Sequence, residues 1–301
     1  MRVSFTGLGT ALITPFTAGG ALDEGAVRRL AARQVEAGVH FLVPCGTTGE
    51  APTLSMSERV RLVELVVDEV EGHAMVMAGA GGYDTREVIQ AVRAFQDVGA
   101  HGILSVTPYY NRPTQDGLYQ HYRAIADTTK LPIMVYNVPG RTGCNVEPST
   151  LARLAQIPNI IGVKEASGNM TQMTEICRLM PPEFIVLSGD DALALPLMAI
   201  GGRGLISVAS NEVPAEMVEL IEAAEHGDYE SARRWHHKML PLMQMNFVEA
   251  NPIPVKFAMA AMGLCEEIYR LPMTSPSAAS QEKIVATLKD YGMPVVIEAR
   301  A

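Results

Sequence analysis

Lys164 stands at the end of a short apolar run, Ile160-Ile161-Gly162-Val163, and is followed by Glu165-Ala166-Ser167-Gly168. The run reads as a strand that ends on a lysine and turns at a glycine. Burial disfavours an ammonium and lowers its pKa, which leaves free amine, the form that adds to a carbonyl to make a Schiff base. The alternative for a strand-end lysine is a pair with Glu165, or a side chain that snorkels to the strand mouth. Period-two alternation sends Ile161 and Val163 to one face and Gly162 and Lys164 to the other, and it turns Glu165 away from Lys164 into a structural position.

Other polar side chains stand just after comparable runs or close them: Thr47 and Thr48, Tyr110, Tyr136 and Arg141. Gathered over one mouth, they supply a lysine nucleophile, hydroxyls for proton relay and an arginine for a carboxylate. That combination suits a 2-oxo acid bound as an imine. Each also has a structural alternative. Thr47 and Thr48 sit between glycines and can shape a turn, Tyr136 can pack with its hydroxyl wet, Arg141 can be a solvated loop residue, and Tyr109-Tyr110 can be an aromatic pair at an interface.

The elements that must bring these residues together recur at intervals of roughly 25 to 30 residues, each as an apolar run, a Gly, Pro or Thr-rich loop and an amphipathic helix. The predicted strands are 10–14, 40–43, 74–78, 102–106, 132–136, 160–163, 184–187 and 204–208. Asp23 reads as the N-cap of a first helix that carries Val27, Leu30, Ala31 and Val35 on one face and stops at Gly38, and a second helix is predicted over 57–70. Eight consecutive units with right-handed crossovers predict an α/β fold, a closed (β/α)8 TIM barrel with chemistry at the C-terminal strand ends. An open doubly wound sheet is the competitor. Beyond residue 227 the pattern is helical, over 228–248, 252–262 and 280–291, with a proline-rich stretch at 271–276. The expected organisation is a catalytic barrel, 1–226, and a C-terminal helical region, 227–301, packed on the barrel side or against another subunit.

Composition narrows the function. A chain of 301 residues with 48% hydrophobic content is globular, and a formal charge of −9 without a Lys/Arg run argues against a nucleic-acid partner. A small anionic substrate must then be drawn by a specific arginine and not by the overall field. Four separated cysteines without a Cys-x-x-Cys pair suggest neither a zinc site nor a disulfide framework, and the adjacent His236 and His237 diverge on a helix, so no metal is expected. The N-terminus lacks the pattern of a signal peptide, and the longest apolar run, near 192–200, is too short for a bilayer, so no membrane association and a cytoplasmic location are expected. Gly79-Ala80-Gly81-Gly82 lacks the glycine spacing and the following acid of a dinucleotide loop, and Gly189, Gly201 and Gly202 are a minor candidate for a barrel phosphate site.

Seven blocks carry a family likeness: Gly46-Thr47-Thr48-Gly49-Glu50, Tyr109-Tyr110-Asn111-Arg112-Pro113, Tyr136-Asn137-Val138-Pro139, Arg141-Thr142-Gly143, Val163-Lys164-Glu165-Ala166, Ser188-Gly189-Asp190-Asp191 and Asn251-Pro252-Ile253-Pro254-Val255-Lys256. Together, in order and over nearly the whole chain, they resemble the dihydrodipicolinate synthase family of class I, pyruvate-dependent aldolases. The resemblance implies lysine and diaminopimelate biosynthesis, with Lys164 as the Schiff-base residue for pyruvate and Tyr136 assisting proton transfer. It further implies that Thr47 and Tyr110 complete a hydroxyl relay, Tyr110 being lent by a neighbouring subunit of a homodimer or homotetramer. Thr48 is implied for the pyruvate carboxylate and Arg141 for the carboxylate of L-aspartate 4-semialdehyde, while Gly189 and Ile206 line the pocket. No metal or organic cofactor is needed by such a mechanism, because the iminium itself is the electron sink.

N-acetylneuraminate lyase and sugar-acid aldolases share the lysine and tyrosine, and Arg141 in Arg-Thr-Gly is the feature that favours the synthase. A non-catalytic 2-oxo acid sensor is the alternative of another class. The chain departs from the family pattern at Gly140 and Phe257. It departs also in the regulatory cleft, where Met56, Arg59 and Tyr83 replace the two histidines and the asparagine of lysine-inhibited members, while Tyr109 and Glu87 remain. Weak or absent feedback by L-lysine is expected, since an arginine repels the lysine side chain.

Overall fold

The computed structural model describes residues 5–296. Eight parallel strands close into a barrel in sequence order. They are β1 (Gly7–Ala11), β2 (Phe41–Val43), β3 (Met75–Gly79), β4 (Gly102–Val106), β5 (Ile133–Asn137), β6 (Ile160–Glu165), β7 (Ile185–Ser188) and β8 (Gly204–Ser207). Around them run α1 (Glu24–Glu36), α2 (Met56–Val70), α3 (Thr85–Asp97), α4 (Gln115–Ala126), the short turn α5 (Pro139–Thr142), α6 (Pro148–Leu154), α7 (Met170–Leu179), α8 (Ala194–Ala199) and α9 (Pro214–Glu225). The expected (β/α)8 barrel is therefore the fold, and the open sheet is not.

Local chemistry sets the helix ends. Asp23 accepts from Ala26 N, and Ser55 and Glu58 form a reciprocal capping box on α2. Each fixes where a loop from the strand mouths hands over to a helix.

The side chains separate into two apolar layers. Alternate strand residues such as Leu42, Val76, Ala78, Val135 and Val163 meet the helices outside. Phe5, Phe41, Met77, Leu104, Met134, Leu187 and Ile206 fill the barrel interior, with the Phe5 and Phe41 rings edge to face at 5.4 Å. The barrel is thus a packed core on which a rigid rim of loops can be built.

Two expectations are corrected. The first strand is Gly7–Ala11 and not 10–14. Its start is hidden by glycines, yet they are required there: a Cβ on Gly9 would lie 2.2 Å from the Phe41 ring, and one on Gly7 would lie 2.9 Å from the His40 ring. Past Ala11 the chain leaves the ladder, as Ile13 N donates to Asn211 Oδ1 and the Thr14 hydroxyl to Gly49 O. β6 also departs from the expected alternation. Ile133 pairs with Ile160 but Met134 pairs with Gly162, so Ile161 is the extra residue of an irregularity. Ile161 consequently packs with the interior layer while Val163 stays in the outer one, and the two do not share a face.

The C-terminal helices are α10 (Tyr229–Met245), α11 (Ile253–Ala261) and α12 (Ala278–Tyr291). α10 packs against α9 and α12, and α11 against α12. Every residue of α11 is buried. Its Val255 and Met259 join Ile13, Leu30 and Val208 in a separate apolar cluster beside β1 and β8. Apart from Lys256 its side chains are apolar on every face, so it has to be enclosed, and it is enclosed against the barrel mouth.

Candidate active site

Strand register brings the central residues together. Val106 pairs with Tyr136, Tyr136 with Lys164, and Lys164 with Leu187, at the C-terminal ends of β4 to β7. Lys164 is buried, 5% exposed. Its Nζ lies 4.4 Å from the centroid of the Tyr136 ring. Burial pushes the ammonium down to about 8, with Asp191 opposing that shift and Arg141 adding to it. No acid forms a salt bridge with it among the described residues, and Glu165 is turned into the outer layer, where it accepts from Asn137 Nδ2 and Ser167 N. The pairing alternative for Lys164 is therefore not the one realised.

Gly189 follows β7 and lies directly on the lysine: a Cβ there would come within 2.9 Å of Lys164 Cε and 2.7 Å of Ala166 Cβ. The Tyr136 phenol is raised by burial, against which Arg141 and a hydrogen bond from Thr47 act. Thr47 and Thr48 lie in the loop after β2, which is held in shape by left-handed backbone at Cys45 and Glu50. The Thr48 side chain is buried and its hydroxyl accepts from Asn251 Nδ2 at 3.1 Å. Arg141, on α5, is exposed and donates through Nη2 to Asn251 O at 3.2 Å.

A cavity of about 330 Å³ opens over this cluster, lined by Thr47, Tyr136, Arg141, Tyr109, Arg59 and Asn251 among others. Lys164 does not itself line it; the Tyr136 ring, which does, stands against its ammonium. Ile206 is fully buried within the barrel interior. Tyr110 is apart from the rest. It is 91% exposed, has a left-handed backbone and does not line the cavity.

Of Met56, Arg59 and Tyr83, Arg59 lines this same cavity and the other two do not. Met56 and Tyr83 are exposed, Tyr83 meets Tyr109 edge to face at 5.4 Å, and Arg59 donates to Gly79 O at 3.1 Å with its guanidinium over Phe95. Among the described residues no group of three His, Cys, Asp or Glu side chains is arranged to hold a metal ion, and no helix is long and apolar enough to cross a membrane.

Residues not singled out for chemistry from the sequence also reach the site. Asp191 is buried and accepts from the Ser207 hydroxyl and from Val208 N, and its charge acts on Lys164. Asn251 comes from the segment between α10 and α11, far from the barrel strands in sequence. Its only advance signal was its place in the Asn-Pro-Ile-Pro block.

Taken together, a closed eight-stranded barrel with a buried, partly neutral lysine beside a tyrosine at the strand ends defines a barrel of the Schiff-base aldolase type. The chain belongs to the dihydrodipicolinate synthetase family, whose model matches residues 4–291. It is 48% identical, over all of this chain and 99% of the relative, to 4-hydroxy-tetrahydrodipicolinate synthase of Chloroherpeton thalassium. The crystal structure of dihydrodipicolinate synthase from Aquifex aeolicus superposes with a TM-score of 0.96 at 42% identity, covering 97% of this chain and 100% of that one. That of the chloride-inhibited synthase from Acinetobacter baumannii complexed with pyruvate superposes at 0.95 and 40% identity, covering 96% and 100%.

Proposed function

We propose that this chain is a 4-hydroxy-tetrahydrodipicolinate synthase, condensing pyruvate with L-aspartate 4-semialdehyde on the route to diaminopimelate and lysine. The observation that carries the reading is Lys164, buried with its pKa near 8 against the Tyr136 ring, in a chain of this family. The free amine of Lys164 adds to the keto carbon of pyruvate and water leaves. Loss of a methyl proton gives the enamine, whose carbon attacks the aldehyde and forms the new C–C bond. The amino group of the second substrate then attacks the imine carbon, closing the ring and returning the lysine amine.

In this reading Tyr136, Thr47 and Tyr110 move the protons, Thr48 takes the pyruvate carboxylate, Arg141 takes the carboxylate of the semialdehyde, and Gly189 and Ile206 bound the pocket. The exposure of Tyr110 favours its use by a second copy, in a homodimer or a homotetramer of two such dimers. The division into a catalytic barrel, 1–226, and a helical region, 227–301, and a cytoplasmic location belong to the same reading. So does weak L-lysine feedback, which the cationic side chain of Arg59 and the exposed ring of Tyr83 support. Half-inhibition at submillimolar lysine would overturn that part.

The test is intact mass after borohydride reduction with pyruvate, for wild type and Lys164→Ala, followed by addition of L-aspartate 4-semialdehyde to untreated enzyme. An adduct on wild type only, with consumption of the semialdehyde, is the expected result. An adduct without consumption moves the chain to another pyruvate aldolase, such as one resembling N-acetylneuraminate lyase, and no adduct favours a 2-oxo acid sensor.

A further inference from the structure

The polarity of one hydroxyl in this site is set from outside the barrel. Thr48 is buried, and the hydrogen bond to its Oγ comes from Asn251 Nδ2 at 3.1 Å. A threonine hydroxyl has one proton and two lone pairs, so a hydroxyl that accepts from an amide N–H keeps its own proton free to donate. Free donation is what a carboxylate needs, since an ionised carboxylate only accepts.

The surroundings make Asn251 suited to this task. It is 5% exposed, and its Oδ1 is buried without a partner among the described residues, so the Thr48 hydroxyl is the side-chain contact that orients the amide. Its backbone carbonyl separately accepts from Arg141 Nη2 at 3.2 Å. One residue of the α10–α11 segment thus touches both side chains read as carboxylate binders, Thr48 through its amide and Arg141 through its main chain.

We propose that Asn251 is a positioning residue that holds the Thr48 hydroxyl as a hydrogen-bond donor toward the carboxylate of the 2-oxo acid. The proposal rests on the reading of Thr48 given above. It acts on one substrate: replacing the amide leaves the carbonyl that Arg141 uses, so binding of the aldehyde substrate should be spared.

Asn251→Leu removes the amide at nearly constant volume, and Thr48→Val removes the hydroxyl. Steady-state kinetics with both substrates on wild type, the two single variants and the double variant form a cycle. The expected result is a rise of roughly tenfold in KM for pyruvate in Asn251→Leu, the loss of a hydrogen bond to a charged group. The KM for L-aspartate 4-semialdehyde should stay within about twofold, and Asn251→Leu should add nothing further in the Thr48→Val background. Equal rises in both KM values would mean a general loosening of the mouth and would overturn the proposal, as would a full Asn251→Leu effect in the Thr48→Val background. A Thr48→Val enzyme with unchanged pyruvate KM would overturn the reading of Thr48 and the proposal with it. Should Asn251→Leu fail to fold by circular dichroism, Asn251→Ser, whose hydroxyl is too short to reach Thr48, carries the same expectations.

Discussion

The ammonium of Lys256 lies 2.6 Å from the carboxylate of Glu50, and both side chains are buried. The two residues are 206 positions apart, one on α11 and the other closing the loop that carries Thr47 and Thr48. Burial lowers the Lys256 pKa, with Glu50 acting against that shift, and the Nζ also stands over the Phe16 ring at 4.1 Å. The C-terminal region is thereby tied to the barrel at its functional end.

Breaking this pair on one side leaves a charge buried without its partner. Lys256→Met should cost ~3–5 kcal/mol of stability, because an orphaned buried carboxylate is far worse than no charge at all. The double variant Lys256→Met/Glu50→Gln should recover much of the loss. Urea unfolding of the three proteins measures both, and a single variant as stable as wild type would remove the pair from any structural role.

Lys164 gives a pH signature with a definite sign. Its folded pKa near 8 lies below the ordinary 10.5. The rate of pyruvate-adduct trapping should therefore rise with pH through about 8, as the free amine becomes the major form. Between 8 and 10.5 the unfolded chain holds a proton that the folded chain lacks, so stability from this group rises with pH across that window. Below it the full cost of burial remains, and Lys164→Met should be more stable than wild type at pH 7 by on the order of 3 kcal/mol. A gap between the two proteins that stays constant from pH 7 to 10.5 would contradict the depressed value.

Gly189→Ala tests the packing around the same lysine. The new methyl would meet Lys164 Cε and Ala166 Cβ at distances no real side chain tolerates, and Gly189 is not in left-handed backbone, so the strain falls on the contacts and not on the main chain. Lys164 must turn aside. We expect adduct formation with pyruvate to drop by roughly tenfold or more, as misplacement of a reacting group does, while the melting temperature changes by a few degrees only. Unaltered trapping kinetics would show that the lysine does not depend on the open face of Gly189.

How far these features were legible from the chain differs by residue. The strand that carries Lys164 announces itself through aliphatic residues, and β4 falls on its predicted bounds because Gly102 and Val106 frame a run that is apolar but for Ser105. β1 did not, since Gly7 and Gly9 are there to make room for the His40 and Phe41 rings, a three-dimensional demand with no apolar signal. Ile161 changed face through a pairing irregularity with β5 that period-two alternation has no means of anticipating. Thr47, Tyr136, Arg141 and Lys164 do come together, because strand ends in a barrel share one mouth. Asn251 and Lys256 needed the tertiary fold, as neither lies near a strand in sequence.

Glu212 and Asn246 form a buried pair whose hydrogen bonds fall one proton short. Asn246 Nδ2 donates to Glu212 Oε2 at 2.8 Å, while Glu212 Oε1 and Asn246 Oδ1, both acceptors, are buried without partners among the described residues. A proton on the carboxyl supplies the donor that two adjacent acceptor groups lack. The surrounding charges agree: burial pushes Glu212 up to about 8, Asp191 adds to this, and the Asn246 bond and Arg33 of α1 work against it. The folded value thus lies above the ordinary 4.5, so between pH 4.5 and 8 the folded chain holds a proton that the unfolded chain has lost. Stability from this group must then fall as pH rises through that window and level off above it, by a few kcal/mol in total (~3 or more). Glu212→Gln keeps the shape and the neutral form, so its stability should hold across the window while that of wild type declines relative to it. Parallel urea-unfolding curves from pH 5 to 8.5, showing a constant difference between the two proteins, would mean that Glu212 is ionised in the fold and that its burial is met in some other way.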